Sequence, residues 1–136
     1  MLDFLMDPLL TDNFSYYDGY FADFLKETQH MQWGQIRTLT ISVGHIIDDP
    51  YTVRRLCHLF PCIERLNVSI RHVEILIEFI DAFQYLLNGS FNFEFSSEHG
   101  RSKLSVHDGL QLIKDEFTYC LDGFTVHMWM KKKVSN

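Results

Sequence analysis

Only three cysteines occur in this 136-residue chain, Cys57, Cys62 and Cys120, and no CxxC pair is present. An odd, unpaired set does not make a disulfide framework. Cys57, His58 and Cys62 lie close together, but no second ligand pair follows at zinc-site spacing, so no metal is expected. The thiols read as reduced cysteines of a cytoplasmic or nuclear protein. Basic charge is also scarce: 12 Lys and Arg stand against 18 Asp and Glu, a net charge of −6. Electrostatic attraction to nucleic acid or to an anionic membrane is therefore not expected. Long apolar runs are missing as well. The strongest, Val73 to Leu87, is interrupted by Glu74, Glu78, Asp81 and Gln84, too charged to span a bilayer. The opening Met1-Leu2-Asp3-Phe4-Leu5-Met6-Asp7-Pro8 has no basic region and does not read as a secretory signal. Nor is there a GxSxG, HExxH, GxxxxGK[ST] or GxGxxG motif. No cofactor is implied.

What is present suits one domain spanning 1–136. Hydrophobic residues make up 46% and aromatic residues 15% of the chain. A chain of this size buries roughly two thirds of its unfolded surface, enough for a core without staples.

The order within the chain is a repeat. Ile36-Arg37-Thr38-Leu39-Thr40-Ile41-Ser42 and Ile63-Glu64-Arg65-Leu66-Asn67-Val68-Ser69 both read I-x-x-L-x-[I/V]-S, 27 residues apart. The same step falls on Ser90-Phe91-Asn92-Phe93-Glu94-Phe95-Ser96, with Phe93 and Phe95 in the apolar positions. Alternation at period two predicts strands. Between them lie helical patterns. Asp49-Pro50 opens the first, since Asp caps free amides and Pro fits the first turn. Val53, Leu56, Leu59 and Phe60 form its stripe, and Pro61 ends it. The second carries Val73, Leu76, Ile77, Ile80 and Leu87, widened by Ile75, Phe79 and Phe83, and Asn88-Gly89 is expected to close it. Parallel strands with helical returns at this period predict an α/β fold, a short irregular leucine-rich-repeat-like solenoid of about three βα units over 35–98.

At the C-terminal end, after the polar stretch 97–103, a short helix is expected with Ser105 as cap, Asp108 behind it, and Leu104, Leu110, Ile113 and Phe117 on its apolar side. Asp122-Gly123 then predicts an antiparallel hairpin, with Leu121 opposite Phe124, Tyr119 opposite Val126 and Phe117 opposite Met128. Its other face carries Thr118, Cys120, Thr125, His127 and Trp129. This helix and hairpin, 104–130, are expected to close the array. Lys131-Lys132-Lys133 reads as a solvated tail. Residues 1–34 are aromatic-rich, with a helix suggested by Tyr20, Phe21, Phe24 and Leu25, and are expected to cover the first unit or to be a remnant of a longer array.

The strand frame also places a polar grid. Residues between the apolar positions point away from the core: Thr38, Thr40 and Ser42, then Arg65, Asn67 and Ser69, then Asn92, Glu94 and Ser96. Solenoids bind partners through such an open sheet face. The candidate partner-binding residues are therefore Thr38, Thr40, Arg65, Asn67, Asn92 and Glu94. Arg65 and Glu94, the only formal charges on the grid, are expected to be neighbours of opposite sign. The competing enzyme reading is a small hydrolase built from scattered histidines and carboxylates. Its best cluster is His45 with Asp48 and Asp49, although Asp49 already has a role as a helix cap.

Phe60-Pro61-Cys62-Ile63-Glu64-Arg65-Leu66-Asn67-Val68 resembles the F-P-x-L-x-x-L-x-[L/V] join of the leucine-rich-repeat tails of F-box proteins. The run Ile77 to Leu86, the segment Ser90-Phe91-Asn92-Phe93-Glu94 and the ending Phe124 to Met130 are similar to C-terminal parts of large F-box-like families. The resemblance implies a non-enzymatic protein-binding module, the substrate-recognition tail of a ubiquitin-ligase receptor or a truncated relative of one. No F-box helical module is readable, so a ligase adaptor is implied only if an F-box is supplied elsewhere. Gly44, Arg71 and Glu98 stand where the family places Asn or Cys after the strand, which implies irregular curvature.

Overall fold

The computed structural model describes residues 12–16, 21–41, 44–94, 106–114 and 116–131. The expectations placed on residues 1–11, Tyr20, Ser42, Phe95, Ser96, 97–103, Leu104, Ser105, Lys132 and Lys133 lie outside them.

Among the described residues seven strands and four helices follow in the order β1 Asn13–Tyr16, α1 Phe21–Glu27, β2 Thr38–Ile41, β3 Ile46–Ile47, α2 Pro50–Leu59, β4 Arg65–Ile70, α3 Val73–Ala82, β5 Asn88–Phe93, α4 Val106–Leu110, β6 Phe117–Asp122 and β7 Thr125–Met130. The sheet order is β1-β2-β4-β5-β7-β6, and β3 also pairs with β4, beyond β2. The first four strands of this order are parallel and the last two join antiparallel. Each parallel crossover steps one position the same way. A constant crossover hand then puts the helices on one face, and α2 packs on α3 and α3 on α4. The expected mixed α/β sheet with a terminal hairpin is what forms.

One backbone joint recurs at the start of successive strands. The Asp12 carbonyl accepts from the N–H groups of Arg37 (2.7 Å) and Thr38 (3.0 Å). The Arg37 carbonyl accepts from Glu64 and Arg65, and the Glu64 carbonyl from Leu87 and Asn88. An aromatic residue and a turn precede the joint each time: Trp33, Phe60 and Phe83 stand three residues ahead of buried Ile36, Ile63 and Leu86.

This joint corrects the expected period. Successive strands start 25, 27 and 23 residues apart, at Asn13, Thr38, Arg65 and Asn88. The third frame is Leu86-Leu87-Asn88-Gly89-Ser90-Phe91, four residues earlier than expected. Four is even, so the slip leaves every side chain on its predicted face. The cause lies in α3, which was expected to run to Leu87 but ends at Ala82. The Phe83 N–H closes it on the Phe79 carbonyl at 3.0 Å, as the Phe60 N–H closes α2 on Leu56 at 2.8 Å. Asn88-Gly89 is therefore the start of β5, not a helix cap. Gly89 is needed there because a Cβ would stand 2.8 Å from the Phe91 ring folded over it.

The opening of α2 forms as expected: Asp49 Oδ1 accepts from the Thr52 N–H at 2.8 Å, with Pro50 in the first turn. The hairpin forms with its register shifted by two residues. Leu121 faces Val126, Tyr119 faces Met128 and Phe117 faces Met130. Asp122 belongs to the strand, and the loop is Gly123-Phe124, with φ +61° at Gly123 and no other positive φ among the described residues. That is the pattern of a type II′ turn, which needs glycine only at its first loop position.

One core runs under the whole sheet, from Phe14 and Leu39 through Leu66, Val68, Phe91 and Phe93 to Val126 and Met128, covered by Val53, Leu56, Val73, Leu76 and Ile80. Ile77 is only partly buried. Phe14, Phe24, Trp33 and Phe60 form an aromatic cluster at one end, and Phe79, Phe83 and Phe91 another.

Candidate functional site: the open face of the sheet

Residues alternating with the buried ones face away from the helices. Paired positions then line up in rows across the sheet. One row runs Asn13, Thr38, Arg65, Asn88, Trp129, Thr118. The next runs Ser15, Thr40, Asn67, Ser90, His127, Cys120. A third runs Ser69, Asn92, Thr125, Asp122.

The rows are tied by side-chain hydrogen bonds. Thr125 Oγ1 donates to Asn92 Oδ1 (2.8 Å), and Asn92 Nδ2 donates to Asn67 Oδ1 (3.1 Å). Ser90 Oγ and His127 Nδ1 share a hydrogen bond of 2.9 Å. Asn67, Ser90, Asn92, Thr125 and His127 are thus held against the sheet. Arg65 and Trp129 stand out from it, Arg65 exposed and Trp129 50% exposed, on either side of Asn88.

Five of the six candidate residues lie within strands of this face. Thr38 pairs with Arg65 and Thr40 with Asn67, as expected. Asn92 faces Ser69 rather than Arg65, because the third strand begins four residues early. Glu94 lies one residue past β5, where its N–H donates to the Ile70 carbonyl at 2.8 Å. Arg65 faces Asn88, so Glu94 is six residues further along, about 20 Å at the rise of a strand. The expected Arg65–Glu94 neighbourhood does not form. An ion pair that does link neighbouring strand starts is Arg37 Nη1 with Glu64 Oε2 at 2.6 Å.

Asn88, Ser90 and β1 were missing from the grid. The aromatic residue three positions ahead of Ile36 and Ile63 marks the correct third frame, since Phe83 stands three ahead of Leu86. Thr125, His127 and Trp129 were legible as the polar face of the hairpin, but nothing in the sequence joins that hairpin to the edge of β5.

The His45, Asp48 and Asp49 side chains have other partners. Both Asp49 carboxylate oxygens accept from Thr52. Asp48 pairs with Arg71 at 3.5 Å. The His45 ring lies 5.1 Å from that of Tyr16 and 6.0 Å from that of Phe21. Cys57 donates to the Ala82 carbonyl at 3.0 Å, and burial pushes its thiol pKa up, which suppresses the thiolate. Among the described residues no group of His, Cys, Asp and Glu could hold a metal ion, and no helix is long and apolar enough to cross a membrane. Comparison with protein-family models, curated proteins and solved structures finds no match to this chain.

Proposed function

We propose that this chain is a non-enzymatic protein-binding module whose strand–helix units are of leucine-rich-repeat type, and that the open sheet face is its recognition surface. The recurring double-acceptor joint supports the repeat reading, since each unit hands the same two N–H groups to the carbonyl of the one before. The row Arg65, Asn88, Trp129 carries the functional reading. It sets an exposed guanidinium and a half-exposed indole two strands apart, about 10 Å, on a surface whose other residues are mostly short and polar. Arg and Trp are among the side chains that most often dominate protein interfaces: Trp covers a large area at low entropic cost, and Arg presents a planar, multidentate hydrogen-bonding fork. In the F-box reading the partner is a ligase client in the cytoplasm or nucleus, and the ligase adaptor is bound by an F-box supplied elsewhere. Neither a cofactor nor nucleic acid nor a membrane enters this proposal.

The test compares the proteins captured by the wild-type chain, by Arg65→Glu, by Trp129→Ala and by the helix-side control Glu78→Lys. The two row variants are expected to lose the same captured proteins at least about tenfold, the effect of losing one interface anchor. Glu78→Lys is expected to keep them. Retention by both row variants with loss in the control moves recognition to the helix face. Turnover of an ester or peptide substrate that His45→Ala abolishes replaces this reading with the hydrolase one.

A further inference from the structure

The outer edge of β6 is a second surface, separate from the open face. Among the described residues β6 pairs on one side only, with β7. The bond from the Lys131 N–H to the Glu116 carbonyl at 2.9 Å fixes which backbone groups point where. Residues 116, 118, 120 and 122 bond inward to β7, because hydrogen-bonded pairs alternate along an antiparallel ladder. The N–H and C=O groups of Phe117, Tyr119 and Leu121 therefore point outward.

Natural edge strands are protected by lysine, proline, a bulge or short length. Among the described residues this one has no lysine, proline or bulge and its only charge is the terminal Asp122: Phe117-Thr118-Tyr119-Cys120-Leu121-Asp122 runs in unbroken register for six residues. At its end Leu121 is 55% and Phe124 70% exposed.

We propose that β6 pairs antiparallel with β6 of a second copy of this chain, about a two-fold axis at Cys120, to make one continuous sheet. In this register Tyr119 and Leu121 of each copy exchange backbone hydrogen bonds with Leu121 and Tyr119 of the other. On the helix side the exposed Leu121 side chain lies beside the second copy's Tyr119, whose hydroxyl is shared with His107 of its own α4 at 3.3 Å, so the ring edge rather than the hydroxyl meets the leucine. On the open side Thr118 meets Asp122 of the second copy, a hydroxyl donor against a carboxylate, and the two Cys120 residues face one another. Centring the pair on Tyr119 instead sets Asp122 against Glu116 of the second copy, acid against acid on the same face, which charge disfavours. The strand is thus complementary to itself, the condition a two-fold interface imposes.

Sedimentation equilibrium of the whole chain over a concentration series tests this. The wild type is expected to approach twice the mass of one chain. Leu121→Lys places a charge on the edge without touching the ladder to β7, and Leu121→Pro deletes an N–H that points outward. Both are expected to sediment as single chains with an unchanged circular dichroism spectrum, and Trp129→Ala on the open face to remain double. Mild oxidation is expected to trap a cross-linked pair that Cys120→Ser abolishes. A single-chain mass for the wild type at every concentration overturns the proposal. So does a double mass that survives Leu121→Lys or is lost only in Trp129→Ala. Pairing that depends on Leu121 without any Cys120 cross-link overturns the register centred on Cys120. These readouts require no client protein, so they stand or fall apart from the open-face reading.

Discussion

Ser69 faces the open side of β4, yet it is fully buried and its hydroxyl has no hydrogen-bond partner among the described residues. A buried polar group without a partner retains its desolvation cost, about 1–3 kcal/mol. Ser69→Ala is therefore expected to raise the stability of the chain, measured by urea denaturation, whereas an unchanged or lowered midpoint would show that the hydroxyl is satisfied in solution. Cys57 gives a pH effect with a definite sign. Its thiol is held protonated by burial, so its pKa is raised in the folded state. Above the ordinary thiol value of 9.0 the unfolded chain loses this proton first, so stability falls as pH rises toward the folded value. The wild type should lose stability relative to Cys57→Ala over that window and run parallel to it below. Equal slopes throughout would remove the burial argument. The Asp49 cap needed no tertiary information, because its chemistry is satisfied within three residues of chain.

The helices are positioned by small clearances. A Cβ on Gly109 in α4 would stand 2.5 Å from both Cγ atoms of Val73 in α3. Glycine to alanine in a helix interior ordinarily stabilises by about 1 kcal/mol. Here overpacking is expected to win, with a net loss of about 1–3 kcal/mol. Combining Gly109→Ala with Val73→Ala should recover part of that loss in a double-mutant cycle. A stabilised single variant would show that α4 does not lie against α3. The strands carry the opposite lesson. β2 and β4 were legible because their apolar residues alternate over a full strand length. β5 was legible in face but not in register, because Asn88-Gly89 has the composition of a helix end. Two events decide otherwise: closure of α3 at Phe83, and the Phe91 ring lying over Gly89. β1 was missed because four residues among many aromatics give little periodicity.

Across the molecule the core is continuous, from the aromatic cluster around Trp33 to the hairpin strand that carries Trp129. The two tryptophans report from opposite ends. Trp33→Phe and Trp129→Phe, each leaving one indole as probe, are expected to give coincident thermal transitions that also match circular dichroism. Transitions separated between the two variants beyond the shift in their circular dichroism midpoints would show that the hairpin unfolds apart from the parallel strands.

The sequence by itself determined the types of the longer elements, the faces of their strands and the cap at Asp49. Period-two alternation survives any even slip, and Asp49, Pro50, Pro61 and Gly123 act over a few residues of chain. Only the tertiary structure decided the spacing from β4 to β5, the docking of β7 on β5 and the place of β6 at the end of the sheet among the described residues. Those depend on which carbonyl each strand-opening N–H pair finds and on how the rings of Phe83 and Phe91 pack. Such contacts join residues far apart in the chain, and no local pattern encodes them. The row Arg65, Asn88, Trp129 shows the difference: Arg65 was in view as an exposed strand residue, but its neighbours on that row come from two later strands whose registers packing sets.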